Sequence, residues 1–591
     1  MKGAEAPFFI LLRCMRSGIL LIFLVCTLAG ARAQFTPSVI HIDSLNIDYR
    51  NSGSIDSVDL LGRRSVLNTP AMLFGLNNGV PDLSIYQNHF TESFKSAFVQ
   101  NVRYSGLPHI GFGYSFGAQG SQIVDFGYEQ VFRKKVIVNL DTKTFRSNGY
   151  LRNSAVDDRY GKLLVLVPGR LWSSEISSSI NSSKVGLSAG IRTGSDPATF
   201  PLIFLPVNKS DASSNIRRSE VQMSNYFDLM ALDSIRAFGL MIENRLTVKD
   251  RMFLENDTLY GIYNFINIDS TSTKDKYQLS RIDNGAGLFA RNKNLYAAGL
   301  IQYNYWKYYN LSFDHDTVEI AVVGRVKYFK KSFYGEGELN YTLRGAGNSF
   351  SGRVHLGVKK DLWEAQSQLN FQNGWPGPFV RSYYANNIEQ EWNYGSGTST
   401  FNLKNRVLLN IKLPVVLQHE LLSFKDGYWL MNNQLVNDQM TNIFVNRFSL
   451  STNFKYKGLS VQPLYTYTRS QHSIRPIPAH TIKGRVMLKG KVLKAKKMLA
   501  FLGADLFYSS SFDLLSFSPV WSSFNWDSST GINNGFADLS AFGGFEIEKF
   551  RFFIRFEHLG AIWNDPFMEL QAGYTFPETS FRIGITWDFF N

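Results

Sequence analysis

The chain ends on Ser580-Phe-Arg-Ile-Gly-Ile-Thr-Trp-Asp-Phe-Phe-Asn591, a stretch in which apolar residues recur with a period of two. In an extended strand, successive side chains point to opposite faces. The alternation therefore predicts a β-strand with one apolar face, which packs against either protein or lipid. The residues that share this face are Phe581, Ile583, Ile585, Trp587 and Phe589.

The same period recurs along most of the chain. Valine, isoleucine and tyrosine alternate with charged residues over 318–328, and the apolar set changes parity after the turn Lys330-Lys331-Ser332 to run over 333–343. Further alternating runs cover 353–359, 363–372, 403–413, 482–492 and 568–576. Many of these runs last roughly nine to eleven residues, the length that crosses a bilayer at barrel tilt. They predict an all-β fold, a transmembrane antiparallel β-barrel, with a soluble β-sandwich or propeller as the alternative.

The N-terminal residues predict export. An apolar run over 18–29 follows Arg13 and Arg16 and precedes Ala31-Arg32-Ala33, the pattern of a signal peptide spanning residues 1–33. A transmembrane anchor needs a longer apolar run. The two cysteines, Cys14 and Cys26, both lie in the predicted signal peptide, so the mature protein is expected to form no disulfide bonds.

The composition agrees with a membrane barrel. Aromatic residues make up 15% of the chain and charged residues only 19%. The formal net charge is +14, but an exported protein rarely meets nucleic acid, so we expect no nucleic-acid partner. After the signal peptide, no apolar run approaches the length of a membrane helix. We therefore expect the bacterial outer membrane as the location and its lipid as the surroundings.

Two regions follow the signal peptide. Residues 34–102 alternate poorly and are rich in Ser, Asn, Asp and Gly, which predicts a short irregular or plug-like N-terminal segment, with a solvated linker as the alternative. Residues 103–591 are predicted to form the barrel. At roughly 24 to 27 residues per strand and connection, they provide about 18–20 strands.

The last strand resembles the C-terminal signal of bacterial outer-membrane barrels, in which a polar residue and a glycine precede two spaced aromatic or aliphatic residues. Arg582, Gly584, Trp587 and Phe589 occupy these positions, although the chain continues to Asn591. The resemblance implies that the barrel-assembly machinery recognises this strand.

Three earlier segments resemble the "putative porin" family of outer-membrane proteins found in Bacteroidota-type bacteria. They are Leu73-Phe-Gly-Leu-Asn-Asn-Gly-Val-Pro81, Gly127-Tyr-Glu-Gln-Val-Phe132, and Asn148-Gly-Tyr150 followed by Asn153-Ser154. The family is named for a presumed pore. The resemblance implies no particular solute and no catalytic residues.

Basic residues recur on the polar face of several predicted strands. Facing a lumen, they would concentrate anions and repel cations. The alternative is that they pair with acidic residues and hold a filled barrel shut. The predicted pore-lining residues are Arg325, Lys327, Arg353, Lys359, Lys404, Arg406, Lys412, Lys483, Arg485, Lys489 and Lys491.

No pattern predicts catalysis, a metal site or a cofactor. Gly113-Tyr-Ser115-Phe-Gly117 matches the serine-hydrolase motif, but small and aromatic residues alternate there and predict a barrel strand instead. Asp314-His315-Asp316 is the one local cluster of potential metal ligands, and we interpret it as a polar hairpin turn.

The expected function is that of an outer-membrane porin, a passive channel for small hydrophilic solutes, with a mild preference for anions where the lumen is open. A plugged active transporter and a non-conducting scaffold or adhesin remain alternatives. The sequence leaves the oligomeric state open.

Overall fold

The computed structural model of the protein describes residues 107–590 apart from short gaps, together with four fragments nearer the N-terminus. The fragments are Val39–His41, Leu76–Asn77, Val80–Pro81 and Val102–Tyr104. The gaps are 133–135, 170, 232–236, 257–265, 311–313, 346–348, 375–381, 392–396, 412, 427, 432–433, 438–441, 473, 492–496, 522 and 527–529. The predicted signal peptide, most of segment 34–102 and Lys412 lie outside the described residues.

Twenty-two antiparallel strands close into one barrel, in which each strand pairs with its neighbours along the chain and the last pairs with the first. The predicted fold class, an all-β antiparallel barrel, is confirmed. The strands are β1 His109–Gly117, β2 Gln122–Val131, β3 Ile137–Ser147, β4 Val156–Val167, β5 Trp172–Gly186, β6 Ala212–Ala231, β7 Ala237–Glu255, β8 Thr273–Arg291, β9 Leu295–Tyr309, β10 Asp314–Lys330, β11 Phe333–Arg344, β12 Phe350–Lys359, β13 Trp363–Gly374, β14 Thr398–Leu409, β15 Val415–Lys425, β16 Ile443–Thr452 continued by Phe454–Tyr456, β17 Leu459–Ser470, β18 His480–Lys491, β19 Met498–Ser509, β20 Phe536–Ile547, β21 Phe550–Glu557 and β22 Ser580–Phe590.

The strand count is somewhat above the predicted range because many connections are short. Only two residues separate β10 from β11, β16 from β17, and β20 from β21. The average strand with its connection is therefore shorter than the value assumed from the sequence. The described residues form strands, loops and a few helices of one short turn. No helix among them is long and apolar enough to cross a membrane.

Large apolar side chains cover the outer face of the barrel, as the alternation predicts. Val322, Val326, Leu339 and Tyr341 are all exposed in the isolated chain. Val486, in the middle of β18, is 47% exposed. An apolar surface of this extent on a closed barrel fits contact with the hydrocarbon part of a bilayer.

One predicted barrel strand is wrong. The alternating run 568–576 lies in the connection between β21 and β22, where Glu569–Gln571 and Tyr574–Thr575 form a small hairpin. Its apolar residues Leu570, Tyr574 and Phe576 are buried among other loops rather than exposed to lipid. A period of two marks any strand with one buried face, and it does not distinguish burial against lipid from burial against protein.

The connections differ sharply between the two ends of the barrel. At one end, which we call the short-turn end, no connection exceeds six residues, and both β1 and β22 have their outer termini there. The other, the long-loop end, carries six connections of seventeen residues or more, namely 187–211, 256–272, 375–397, 426–442, 510–535 and 558–579. Outer-membrane barrels place short turns in the periplasm and long loops outside the cell. The long-loop end corresponds to the exterior end of such barrels.

The long loops fold together into a structure that we call the loop cap. Two apolar clusters combine loop side chains with inward-facing residues of the strand ends. Loop 510–535 contributes to both clusters, through Leu515 and Phe524 in one and Trp521 in the other. Burial raises the pKa of Tyr574, a cap residue of loop 558–579, to about 12. The cap is thus a packed and largely buried layer across the long-loop end of the barrel.

Direct contacts tie the loops of the cap to one another and to the wall. The Ile191 N–H donates to the Gly573 carbonyl at 2.7 Å, which joins loop 187–211 to loop 558–579. Gly190 has a φ of +84°, and a Cβ atom there would lie 2.9 Å from the Gly573 carbonyl oxygen, so a larger residue would force the two loops apart. On the wall, Arg251 of β7 donates to the Val520 carbonyl at 2.5 Å.

Replacing Val486 with lysine is expected to lower the free energy of unfolding by about 2–4 kcal/mol, because the side chain would place a charge in the middle of the lipid-facing surface. The matched variant Lys489→Gln lies on the same strand but on the inner face, and it should change stability far less. Urea unfolding in lipid vesicles measures both. Equal losses would contradict the assignment of the two faces.

Candidate functional site

The inner wall of β10–β18 carries charged side chains that are open to the lumen. On β10, Arg325 contacts Glu243 of β7 at 2.6 Å and Glu338 of β11 at 2.8 Å. Two residues further along, Lys327 lies 3.8 Å from Glu336, and both side chains are about half exposed, at 50% and 53%. Such partial exposure of paired charges indicates that water reaches this part of the wall.

The same arrangement continues around the wall. Lys404 of β14 lies 2.9 Å from Glu420 of β15, and the lysine side chain is 50% exposed. Lys489 of β18 contacts Glu546 of β20. Four of the basic residues predicted from the sequence, Arg325, Lys327, Lys404 and Lys489, therefore face acidic partners on other strands, which reduces the net positive charge that a passing solute would experience.

The remaining predicted pore-lining residues have varied surroundings. The Arg353 Nε atom lies 3.2 Å from Asn370 Oδ1, and the Lys483 Nζ atom lies 5.9 Å from the centre of the Phe507 ring. Lys359 and Lys491 are exposed near the short-turn end, and Arg406 is partly buried on β14. Lys412 falls outside the described residues, and its place in the lumen stays a prediction.

Next to this open wall, the inner face of β19–β22 is packed. Asp505 lies between Arg485 and Arg555, with shortest contacts of 2.6 Å to each. Glu557 lies 3.2 Å from Arg582, whose side chain also donates to the Ser121 hydroxyl at 3.1 Å. Arg555 and Arg582 are only 3% and 1% exposed. The charges of this wall are arranged as a chain of buried ion pairs.

An aromatic cluster lies within the packed wall. Phe501, Phe542 and Phe553 are buried against one another on the inner faces of β19–β21. The guanidinium groups of Arg485 and Arg555 lie 5.4 and 5.8 Å from the centre of the Phe542 ring. Arginine stacks favourably on aromatic rings, so this cluster and the ion pairs support one another.

Arg485 was predicted from the sequence, whereas Asp505, Arg555 and Glu557 were not. The run Phe550–Glu557 alternates arginine with apolar residues and could have been recognised as a strand. The pairing of Arg555 with Asp505 could not have been recognised from the sequence, because it joins strands that are not adjacent and depends on the register of three strands.

The residues of the predicted assembly signal divide between the two faces of β22. Trp587 and Phe589 are exposed on the outer face with their ring centroids 4.2 Å apart, whereas Arg582 is buried on the inner face. A Cβ atom at Gly584 would lie 2.3 Å from the Phe553 ring, so a side chain there would disturb the packing of β22 against β21. Recognition by the assembly machinery stays a prediction.

The two motifs weighed for chemistry have structural roles. Ser115 is buried in β1 between the outward-facing Tyr114 and Phe116, with no sharp turn at the serine. Asp314-His315-Asp316 begins β10 and pairs with residues 307–309 of β9, so it is a strand segment and not the hairpin turn expected from the sequence. Within the described part of the chain, no group of three His, Cys, Asp or Glu side chains converges in a way that could hold a metal ion.

Comparisons with known proteins bear on the whole barrel. Residues 99–591 match a protein family described as "Putative porin", and no curated protein matches the sequence. Among solved structures, the chain is similar to the copper transporter OprC, with 10% identity over 82% of each chain and a TM-score of 0.56. It is also similar to the FrpB iron transporter from Neisseria meningitidis, with 9% identity, 82% and 83% coverage and a TM-score of 0.54. The ferric-catecholate import receptor Fiu from E. coli K12 shares 10% identity over 82% of each chain, with a TM-score of 0.54. At such identities, these similarities show the fold.

Proposed function

Since the chain belongs to the "Putative porin" family, we propose that it is an outer-membrane transport protein that carries small hydrophilic solutes along the open wall β10–β18. Transport of this kind needs no covalent chemistry. Bacterial outer-membrane lipid surrounds the barrel, and the barrel-assembly machinery inserts it.

The half-exposed charges of the inner wall are the observation that carries this proposal. Lys327, Glu336 and Lys404 face the lumen from three different strands and remain accessible to water. A barrel filled by its own side chains would bury such groups, as the packed wall buries Arg555 and Arg582. A continuous polar surface of this type can replace the hydration shell of a solute that passes along it.

The loop cap makes the protein a gated channel in this proposal. Loops that are packed around Leu515, Trp521 and Phe524 cover the exterior end. Solutes therefore need a rearrangement of the cap to reach the open wall. Loops are the natural site for such a change, because they are held by local contacts with one another and with the wall rather than by the continuous strand pairings of the barrel.

We propose a weak anion preference. The sequence suggested a basic lumen, and the basic residues Lys483, Lys491 and Lys359 lie on the inner face. Cross-strand acids neutralise Arg325, Lys327 and Lys404, so the expected selectivity is smaller than a count of lysines and arginines suggests.

A plugged active transporter is the second candidate. Barrels of 22 strands are characteristic of outer-membrane transporters whose lumen holds a plug, and the chain resembles solved structures named as copper and iron transporters. In that case residues 34–102 would provide the plug. A scaffold or adhesin that displays its loops is the third.

Single-channel recording in a planar bilayer distinguishes these candidates. The mature protein should produce discrete current steps, rare at rest because of the cap, with a reversal potential in a salt gradient that favours anions slightly. A cation preference would contradict the role given to the basic residues. A folded barrel that gives no current over a wide range of voltages would contradict the passive channel and favour the plugged transporter or the scaffold.

A further inference from the structure

Strands β5–β9 are longer than a bilayer requires. They run for 15 to 20 residues, whereas a tilted strand crosses the hydrocarbon core in about 9–11. Their excess length lies toward the long loops, since the outer face near the other end is apolar. This part of the wall therefore rises above the membrane on the exterior side.

Basic side chains gather on the outer face of this part of the wall and of the adjoining strands β3 and β4. In β-sheet register, Arg159 of β4 and Arg217 of β6 both lie opposite Ser182 of β5. In the adjacent row, Lys184 and Lys276 lie opposite Asn215 and Met252. We call this group the basic band; its members, all of them exposed, are Arg146, Arg159, Lys184, Arg217, Lys276 and Lys307.

The band follows the upper boundary of the apolar surface. Val221 lies four residues from Arg217 on the same strand and face, and it is exposed and apolar. Tyr303 likewise lies four residues from Lys307 on the same strand and face. Ile301, two residues further from Lys307, is 64% exposed. Four residues of a strand span about 13 Å. The basic groups are thus at the height where lipid headgroups begin.

Acidic residues are interspersed in the band, but basic ones outnumber them. Arg146 and Arg159 both contact Asp157, at 3.1 and 2.8 Å, and Lys307 lies 3.3 Å from Asp314. Lys184, Arg217 and Lys276 form the central part of the band, and Asp250 lies opposite Arg217. Arginine and lysine in such an array suit phosphate oxygens, which accept several charge-assisted hydrogen bonds.

We propose that the basic band binds the phosphate groups of lipids in the outer leaflet. The occupant is a phosphorylated lipid rather than free phosphate, because the cations border a surface that apolar chains must cover. The acyl chains would lie against Val221, Ile301 and their neighbours, while the phosphates meet Lys184, Arg217 and Lys276. Each lipid is held by charge and by apolar contact together.

Native mass spectrometry of the whole mature protein in detergent tests the proposal, with bisphosphorylated lipid A as the probe. The triple variant Lys184→Gln/Arg217→Gln/Lys276→Gln should raise the dissociation constant at least about tenfold, since each basic group near a charged lipid surface changes affinity roughly fivefold. The matched control, Lys293→Gln/Lys331→Gln/Lys360→Gln, removes the same charge from exposed turns at the short-turn end. It should bind as the wild type does.

Three results would overturn the proposal. They are unchanged affinity in the first triple variant, equal weakening in the control, and equal binding of lipid A from which both phosphates have been removed. Inorganic pyrophosphate that binds as tightly as the lipid would overturn the assignment to a lipid. Heat-modifiable migration on gels confirms that both variants keep the folded barrel before they are compared.

Discussion

Replacing residues 514–531 with a short Gly-Ser linker is expected to raise the single-channel conductance severalfold. The segment provides Leu515, Trp521 and Phe524, which connect the two apolar clusters of the loop cap. Phe512 pairs with Asn533 and Asp513 with Ile532, so the cut ends are adjacent and a short linker can join them. Single-channel recording in a planar bilayer measures the change.

A matched deletion separates cap opening from a general effect of shortening loops. Residues 193–199 form a partly exposed stretch of loop 187–211 and provide none of the buried side chains of the cap. Their removal should leave the conductance unchanged. If both deletions raise it equally, the packing of loop 510–535 does not control access to the lumen.

A reversible cross-link tests the same gate in the opposite direction. Leu430 and Asn525 form an isolated β-bridge between two long loops, and the mature chain is expected to contain no native cysteine that could interfere. In the variant Leu430→Cys/Asn525→Cys, oxidation should suppress current steps and reduction should restore them. The two single-cysteine variants serve as controls. Steps that persist in the oxidised protein would contradict opening at this pair of loops.

The substitution Arg555→Met is expected to lower the free energy of unfolding by about 3–5 kcal/mol, the cost of leaving a buried ion without its partner. Arg555 contacts Asp505 at 2.6 Å and Glu557 at 3.6 Å. Arg485 and Arg582 remain beside the two acids, so the loss should fall toward the lower end of that range. Urea unfolding in lipid vesicles provides the measurement.

Arg353→Met is the matched control, because it removes the same charge from the open wall. Arg353 is exposed and contacts Asn370 at 3.2 Å, so its loss should cost below about 1 kcal/mol. Comparable losses in the two variants would mean that the packed wall is no drier than the open one.

The period of two was sufficient to predict the barrel and the orientation of its strands. Val486 and Lys489 lie on the faces that the alternation assigns to them. Period and composition were not sufficient to identify the loop cap, because Leu570 and Tyr574 alternate with polar residues as barrel residues do. Barrel strands and cap strands differ in what surrounds the apolar face, which is lipid for one and other loops for the other. That difference becomes visible only when the loops are assembled.

The candidate site was predicted in part. Lysines and arginines on the polar face of predicted strands can be identified from the sequence, as Lys404 and Arg485 were. The strength of the positive electrostatic field of these residues cannot be predicted from the sequence. It depends on acidic residues such as Glu420 and Asp505, which come close to them only through the strand register. The basic band was missed for a similar reason. Arg217 and Lys276 are far apart in the chain and become neighbours only when β6 and β8 flank β7.

The closing pair β22–β1 has a consequence for how the chain folds. Every other pairing of the barrel joins strands that follow one another, so hairpins can form locally as the chain emerges. This pairing joins Phe590 to His109 and Arg582 to Gly117, and it can form only after all the strands from β1 to β22 have been synthesised. Until then both strands present unpaired edges, which invite aggregation. A protein cut short before β22 would keep unpaired edges on β1 and β21 permanently, and these edges would invite aggregation although every other strand is paired.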